Sequence, residues 1–223
     1  MKRTSFKDRI LPYYTRSEEK FNMISHIVGG GFSIAALVLC VVFSALRSDV
    51  WAVVSSAIYG ASLVILYTSS SIYHGLYLSN GKKVMQVIDH CTIYFLIGGT
   101  YTPITLCAIR RVSPGWGWTV FGIVWGIAAV ATVFTAIDLK RFSKLSMICY
   151  ICMGWCIVIA AKITLKAIDL KGILWLLAGG VFYTIGAVLY AIGKKKRYVH
   201  SVFHIFVLIG SILQFISIFF YVL

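Results

Sequence analysis

Seven long apolar stretches follow one another along the chain, separated by short clusters of charged or turn-forming residues. Each stretch is about 20 residues or longer, the length that carries an α-helix across a hydrocarbon layer of roughly 30 Å. The pattern predicts an all-α membrane protein, a seven-transmembrane helix bundle with spans at about 21–46, 51–78, 84–109, 116–137, 145–163, 173–192 and 198–223. These use nearly the whole chain, so residues 21–223 are expected to form a single transmembrane domain. Residues 1–20 place Lys2, Arg3, Lys7, Arg9, Arg16 and Lys20 among aromatic and aliphatic residues. Such a basic amphipathic segment suits the anionic cytoplasmic face of a membrane. Met1 to Arg16 lack an apolar run with a small-residue cleavage site, so the first span is expected to act as the targeting signal.

The breaks between spans carry their own signals. Asp49 marks a short turn, and Asn80-Gly81-Lys82-Lys83 reads as another. Pro103 lies inside the third span, where it removes a backbone hydrogen bond and predicts a kink that neighbouring helices must satisfy. Gly122 and Gly126 have the spacing that permits close helix contact in the fourth span. Lys162 and Lys166 can snorkel at the end of the fifth.

Composition agrees with this pattern. The 223 residues are 60% hydrophobic and only 13% charged, with a mean hydropathy of +0.89, which excludes a soluble core. The formal charge of +14 comes from Lys and Arg in short loops, with no basic face of interleaved aromatics, so no nucleic-acid partner is expected. Cys40, Cys91, Cys107, Cys149, Cys152 and Cys156 all fall in or at the ends of apolar spans and read as small hydrophobes, including the tempting spacing of the last three. No disulfide framework is expected. Counted on alternate sides of the spans, 15 Lys and Arg lie on the N-terminal side and 6 on the other. That asymmetry predicts a cytoplasmic N-terminus and an outside C-terminus in a multi-pass plasma-membrane protein.

This topology gathers unusual residues. His26, His74, His90, His200 and His204 all fall at the cytoplasmic end, with Glu19, Asn22, Ser70 and Asp89. Ionisable groups at membrane depth are costly and mark function. His200 and His204 are one helical turn apart and can share one ion, and His74 is the best candidate for a third ligand. Three protein ligands leave one position of a tetrahedral Zn2+ site for water, the pattern of catalytic zinc. Asp89 fits as general base or water anchor, and Ser70, one turn before His74, can donate to water or a developing oxyanion. Glu19, Asn22 and His26 share one helix face and read as support behind the ligands or as a gate, with His26 open to ligation or plain packing. His90 points about 100° away from Asp89 around the helix and reads as structural or interfacial.

Glu19-x2-Asn22-x3-His26, Ser70-x3-His74 followed by Asp89, and His200-x3-His204 together resemble the three motifs of the hemolysin III branch of the progestin and adipoQ receptor family, over all seven spans. The resemblance implies a seven-helix bundle with zinc held by His74, His200 and His204, and with Asp89 and Ser70 beside the zinc-bound water. The wider superfamily includes alkaline ceramidases, which implies hydrolysis of a lipid amide or ester and a lipid-like substrate or ligand drawn from membrane lipids. One other function fits the same residues, a membrane-lipid sensor or modulator with structural zinc, while cytolysis is suggested by the name of the branch alone.

Overall fold

The computed structural model describes Thr4, residues 8–193 and residues 196–223. Lys2, Arg3, Lys7, Lys194 and Lys195, which entered the charge count, lie outside the described residues, as does the rest of 1–3 and 5–7. Among the described residues seven helices are long and apolar enough to cross a membrane: α1 Arg16–Arg47, α2 Val50–Gly75, α3 Asn80–Val112, α4 Pro114–Ile137, α5 Ser143–Ala167, α6 Leu170–Ile192 and α7 Val199–Tyr221. The protein is an all-α, multi-pass membrane protein. α1 packs along α2, α2 along α3 and α6 along α7, and α7 returns against α1. α3 is the most enclosed helix.

Helix ends follow local chemistry. Thr15 and Glu18 form a capping box at the start of α1. The Asp49 carboxylate accepts from the Ala52 N–H at 3.0 Å to open α2. Ser79 accepts from the Lys82 N–H at 3.2 Å, so α3 starts at Asn80. The Asn80–Lys83 stretch is therefore a helical turn, where the sequence suggested a loop, because the Ser79 cap outweighs the turn preference of Asn-Gly.

Pro103 is followed by a π-helical turn, Ile104–Ile109. Hydroxyls absorb the disturbance: Thr102 donates to the Gly98 carbonyl and Thr105 to the Tyr101 carbonyl, each at 2.8 Å. α5 is interrupted near Trp155. The Tyr101 hydroxyl mends the gap, donating to the Gly154 carbonyl and accepting from the Ile157 N–H, both at 2.9 Å. Gly122 and Gly126 do not form a close contact, since nothing lies within 4 Å of a Cβ built on either. All six cysteines are free.

The segment before α1 runs across the bundle end. The Thr4 N–H donates to Asp138 Oδ2 at 2.8 Å, and the Arg9 guanidinium reaches the Ile137 carbonyl. Glu18 Oε1 accepts from the Tyr198 N–H at 2.7 Å, where Tyr198 holds φ of 60° at the start of α7.

Asp138, in the turn between α4 and α5, gives a pH prediction. Burial acts to raise its pKa, but the N–H donors of Thr4 and Arg141 and the nearby Arg9 outweigh it, bringing the carboxyl down from 3.8 to about 2. A folded-state pKa below the unfolded value gives stabilisation that is complete above about pH 4 and lost as pH falls through about 2. Pepsin cleavage within residues 8–15 is expected to rise steeply from pH 4 to pH 2, and Asp138→Asn to be cleaved readily at both. Equal cleavage of the two proteins at pH 4 would count against this latch.

Candidate metal centre

α2 delivers His74 in its last turn, and α7 delivers His200 and His204 from its first two turns. The helical period puts both α7 imidazoles on the face that meets α1 and α2. All three residues are buried, and each offers a ring nitrogen within 4.8 Å of the other two. The Nε2 atoms of His200 and His204 face one another at 3.1 Å. Nitrogens on one tetrahedral zinc would be about 3.4 Å apart, from Zn–N bonds of about 2.05 Å. His74 Nε2 is buried without a hydrogen-bond partner. Three imidazole nitrogens this close together, with His74 Nε2 unpartnered, form a group that can hold a metal ion.

Behind these nitrogens lies a second set of contacts. Glu19 Oε2 is 2.6 Å from His74 Nδ1. A carboxylate only accepts, so Nδ1 carries a proton, which in the neutral ring leaves Nε2 its lone pair. The His26 ring lies 3.9 Å from that of His204 and edge-on to Tyr67 at 5.0 Å. Both His26 nitrogens, and both polar atoms of the fully buried Asn22, are without partners. Glu19 thus touches a candidate ligand, while His26 packs on one and Asn22 lies on the same buried face of α1.

Ser70 is buried and, with Asp89, lines a cavity that His200 and His204 also line, whereas His74 does not. The Asp89 carboxylate is 3.9 Å from His90 Nδ1, which instead donates to the Gln86 carbonyl at 2.8 Å. His90 Nε2 accepts from the Tyr190 hydroxyl at 2.9 Å, bridging α3 to α6. The cavity volume is about 170 Å³. From His200 it follows α7 to Gln214, about 20 Å along the helix axis. Beyond Asp89 and Ser70 its walls are mostly aliphatic and aromatic, among them Leu96, Ile104, Ile157 and Leu176.

Three contributors were missed from sequence. The Tyr14 ring stacks on His200 at 4.8 Å and, with Pro12, lines the cavity. Burial pushes its phenol pKa up, so it remains an uncharged hydroxyl. The capping box Thr15-x2-Glu18 was the available signal, because it places the start of α1 directly after Tyr14. Tyr190 gave no local sign. Lys82, counted as a loop charge, is 2% exposed and reaches Glu19.

The haemolysin-III-related family profile matches residues 14–215. The chain belongs to that family. It is 37% identical over 206 residues to Hemolysin-3 of Bacillus cereus, covering 92% of each chain. It is 38% identical over 208 residues to a Hemolysin-3 homolog of Bacillus subtilis, covering 93% of this chain and 96% of that one. The human monocyte to macrophage differentiation factor is 23% identical over 193 residues, 83% of this chain and 77% of the other. Multi-pass placement in the plasma membrane is consistent with the family.

Proposed function

We propose that this protein is a zinc-dependent hydrolase of a lipid amide or ester bond, with its site near the cytoplasmic face. The observation that carries the reading is the cavity: two of the three grouped histidines, His200 and His204, line an apolar channel long enough for an acyl chain. His74, His200 and His204 would hold the ion. When bound, zinc supplies activation of a nucleophilic water and polarisation of a carbonyl.

The chain's own residues do the rest. The channel holds the acyl chain and keeps bulk water from the head group. Asp89 accepts the proton of the attacking water and returns it to the leaving amine or alcohol, so one water and one acyl bond become an acid and the freed amine or alcohol. Ser70 donates to the oxygen on which charge develops. Glu19 keeps His74 in the ligating tautomer.

The test is purified protein in lipid nanodiscs, assayed for zinc content and for turnover of N-acyl and ester lipids. Asp89→Asn is expected to keep its zinc and lose about 10²–10⁴-fold in rate. A zinc-loaded protein that releases no fatty acid from either lipid class, or an Asp89→Asn variant of full activity, would sink the reading. The relatives' names favour a second one, membrane lysis. Its mark would be vesicle leakage that persists in His204→Ala.

A further inference from the structure

Lys82 sits where neither its helix nor its surroundings favour a cation. It lies in the first turn of α3, the end at which the helix dipole repels positive charge. It is also 2% exposed, and a buried ammonium is costly unless paired. Its contacts are specific: Nζ donates to Glu19 Oε1 at 2.8 Å and to the Leu76 carbonyl at 2.9 Å, and lies 5.0 Å from the centre of the Tyr73 ring. The other oxygen of the same Glu19 carboxylate takes the His74 Nδ1 proton. Lys82, Glu19 and His74 therefore form one line from α3 through α1 to α2, ending at the unpartnered Nε2 of His74.

We infer that Lys82 is a positioning residue for the metal centre: by holding one Glu19 oxygen it aims the other at His74 Nδ1 and so fixes which nitrogen of His74 faces the ion. The inference rests on the metal reading above and goes beyond it by making Lys82, which is linked to His74 through Glu19, a determinant of affinity. A carboxylate freed of Lys82 has its rotation restrained only by the imidazole. The ring then samples both tautomers, and one of them places a proton on the ligating nitrogen. The plain alternative is that Lys82 only staples the α2–α3 connection through the Leu76 carbonyl, in which case its loss lowers stability without touching the histidine.

The test uses the full chain in nanodiscs. Zinc affinity is measured by chelator competition for wild type, Lys82→Met, Glu19→Gln and the double variant. The visible bands of the cobalt-substituted proteins report ligand geometry. Each single variant is expected to bind zinc about 10–100-fold more weakly with altered cobalt bands, and the double variant no more weakly than the weaker single, since the two act through one contact. Zinc affinity of Lys82→Met within twofold of wild type, or losses that multiply in the double variant, would overturn the inference. Nitrogen-15 NMR of histidine-labelled, metal-free protein gives a readout that does not depend on zinc. Wild type is expected to show His74 protonated at Nδ1, and Lys82→Met a mixture. A wild-type His74 protonated at Nε2 overturns the positioning role whether or not the variants fold. A wild type with the expected tautomer that binds no zinc leaves Lys82 controlling the imidazole but overturns both the metal reading and the affinity claim.

Discussion

Replacing His204 with alanine is expected to strip the protein of stoichiometric zinc while leaving the bundle assembled. His204 is 1% exposed and faces His200 through the ring nitrogens. Its loss leaves two imidazoles on two different helices, His74 on α2 and His200 on α7. Structural zinc sites bind with about 10–16 kcal/mol, so losing one ligand of three or four removes several kcal/mol, roughly a thousandfold in affinity. This exceeds the effect expected at Lys82 or Glu19, which act from behind a ligand. The fold should survive, because α7 also packs on α6 beyond this turn, as where Gly186 meets Phe206 and Gly210 meets Tyr183. Metal analysis with chelator competition decides the matter: wild-type stoichiometry and affinity in His204→Ala would show that the three histidines are not a metal site.

The second large effect is expected from Gly29→Ala. A Cβ at this position of α1 would overlap the ring of Tyr67 on α2. That ring cannot withdraw cheaply. Tyr67 is fully buried, its hydroxyl donates to Ser211 at 2.7 Å, and its edge meets His26. Overpacking of this kind costs about 1–3 kcal/mol, and the displaced ring pushes on His26 and through it on His204, so zinc affinity should fall with stability. Gly30 is the internal control. A Cβ there meets nothing within 4 Å, and alanine in a helix interior gains about 0.5–1 kcal/mol over glycine. Thermal unfolding in detergent should place Gly29→Ala below wild type and Gly30→Ala at or above it. Coincident curves for the two variants would refute the claimed contact.

The spans were readable because a hydrocarbon layer imposes a length and a polarity that no other environment requires, so α1 to α7 could be read from runs of apolar residues alone. The i, i+4 spacing of His200 and His204 was equally plain, since a helix forces those side chains to one face. What lies across helices was harder. Glu19 was visible as part of a stripe with Asn22 and His26, but a stripe says nothing of which oxygen meets which nitrogen, and its contact with His74 depends on how α1 leans on α2. Lys82 was misplaced because Asn-Gly-Lys-Lys has the composition of a turn, and only the Ser79 cap shows that the helix has already begun. Gly122 and Gly126 have the spacing of a packed seam, yet they face outward. Spacing fixes a face of a helix without saying what that face meets. The break in α5 has no proline to announce it, and it is stabilised by Tyr101 from another helix.

The candidate ligands are divided between α2 and α7, with more than a hundred residues between His74 and His200. At about 5–20 residues per second, synthesis delivers the second half of the site roughly 6–25 s after the first. Until α7 enters the bilayer, His74 and Glu19 wait on an unfinished wall, and no metal can be gripped from two sides. If these histidines hold a metal, its capture from both sides waits for α7. On that reading a chain stalled before α7 inserts leaves no metal-loaded intermediate in the membrane.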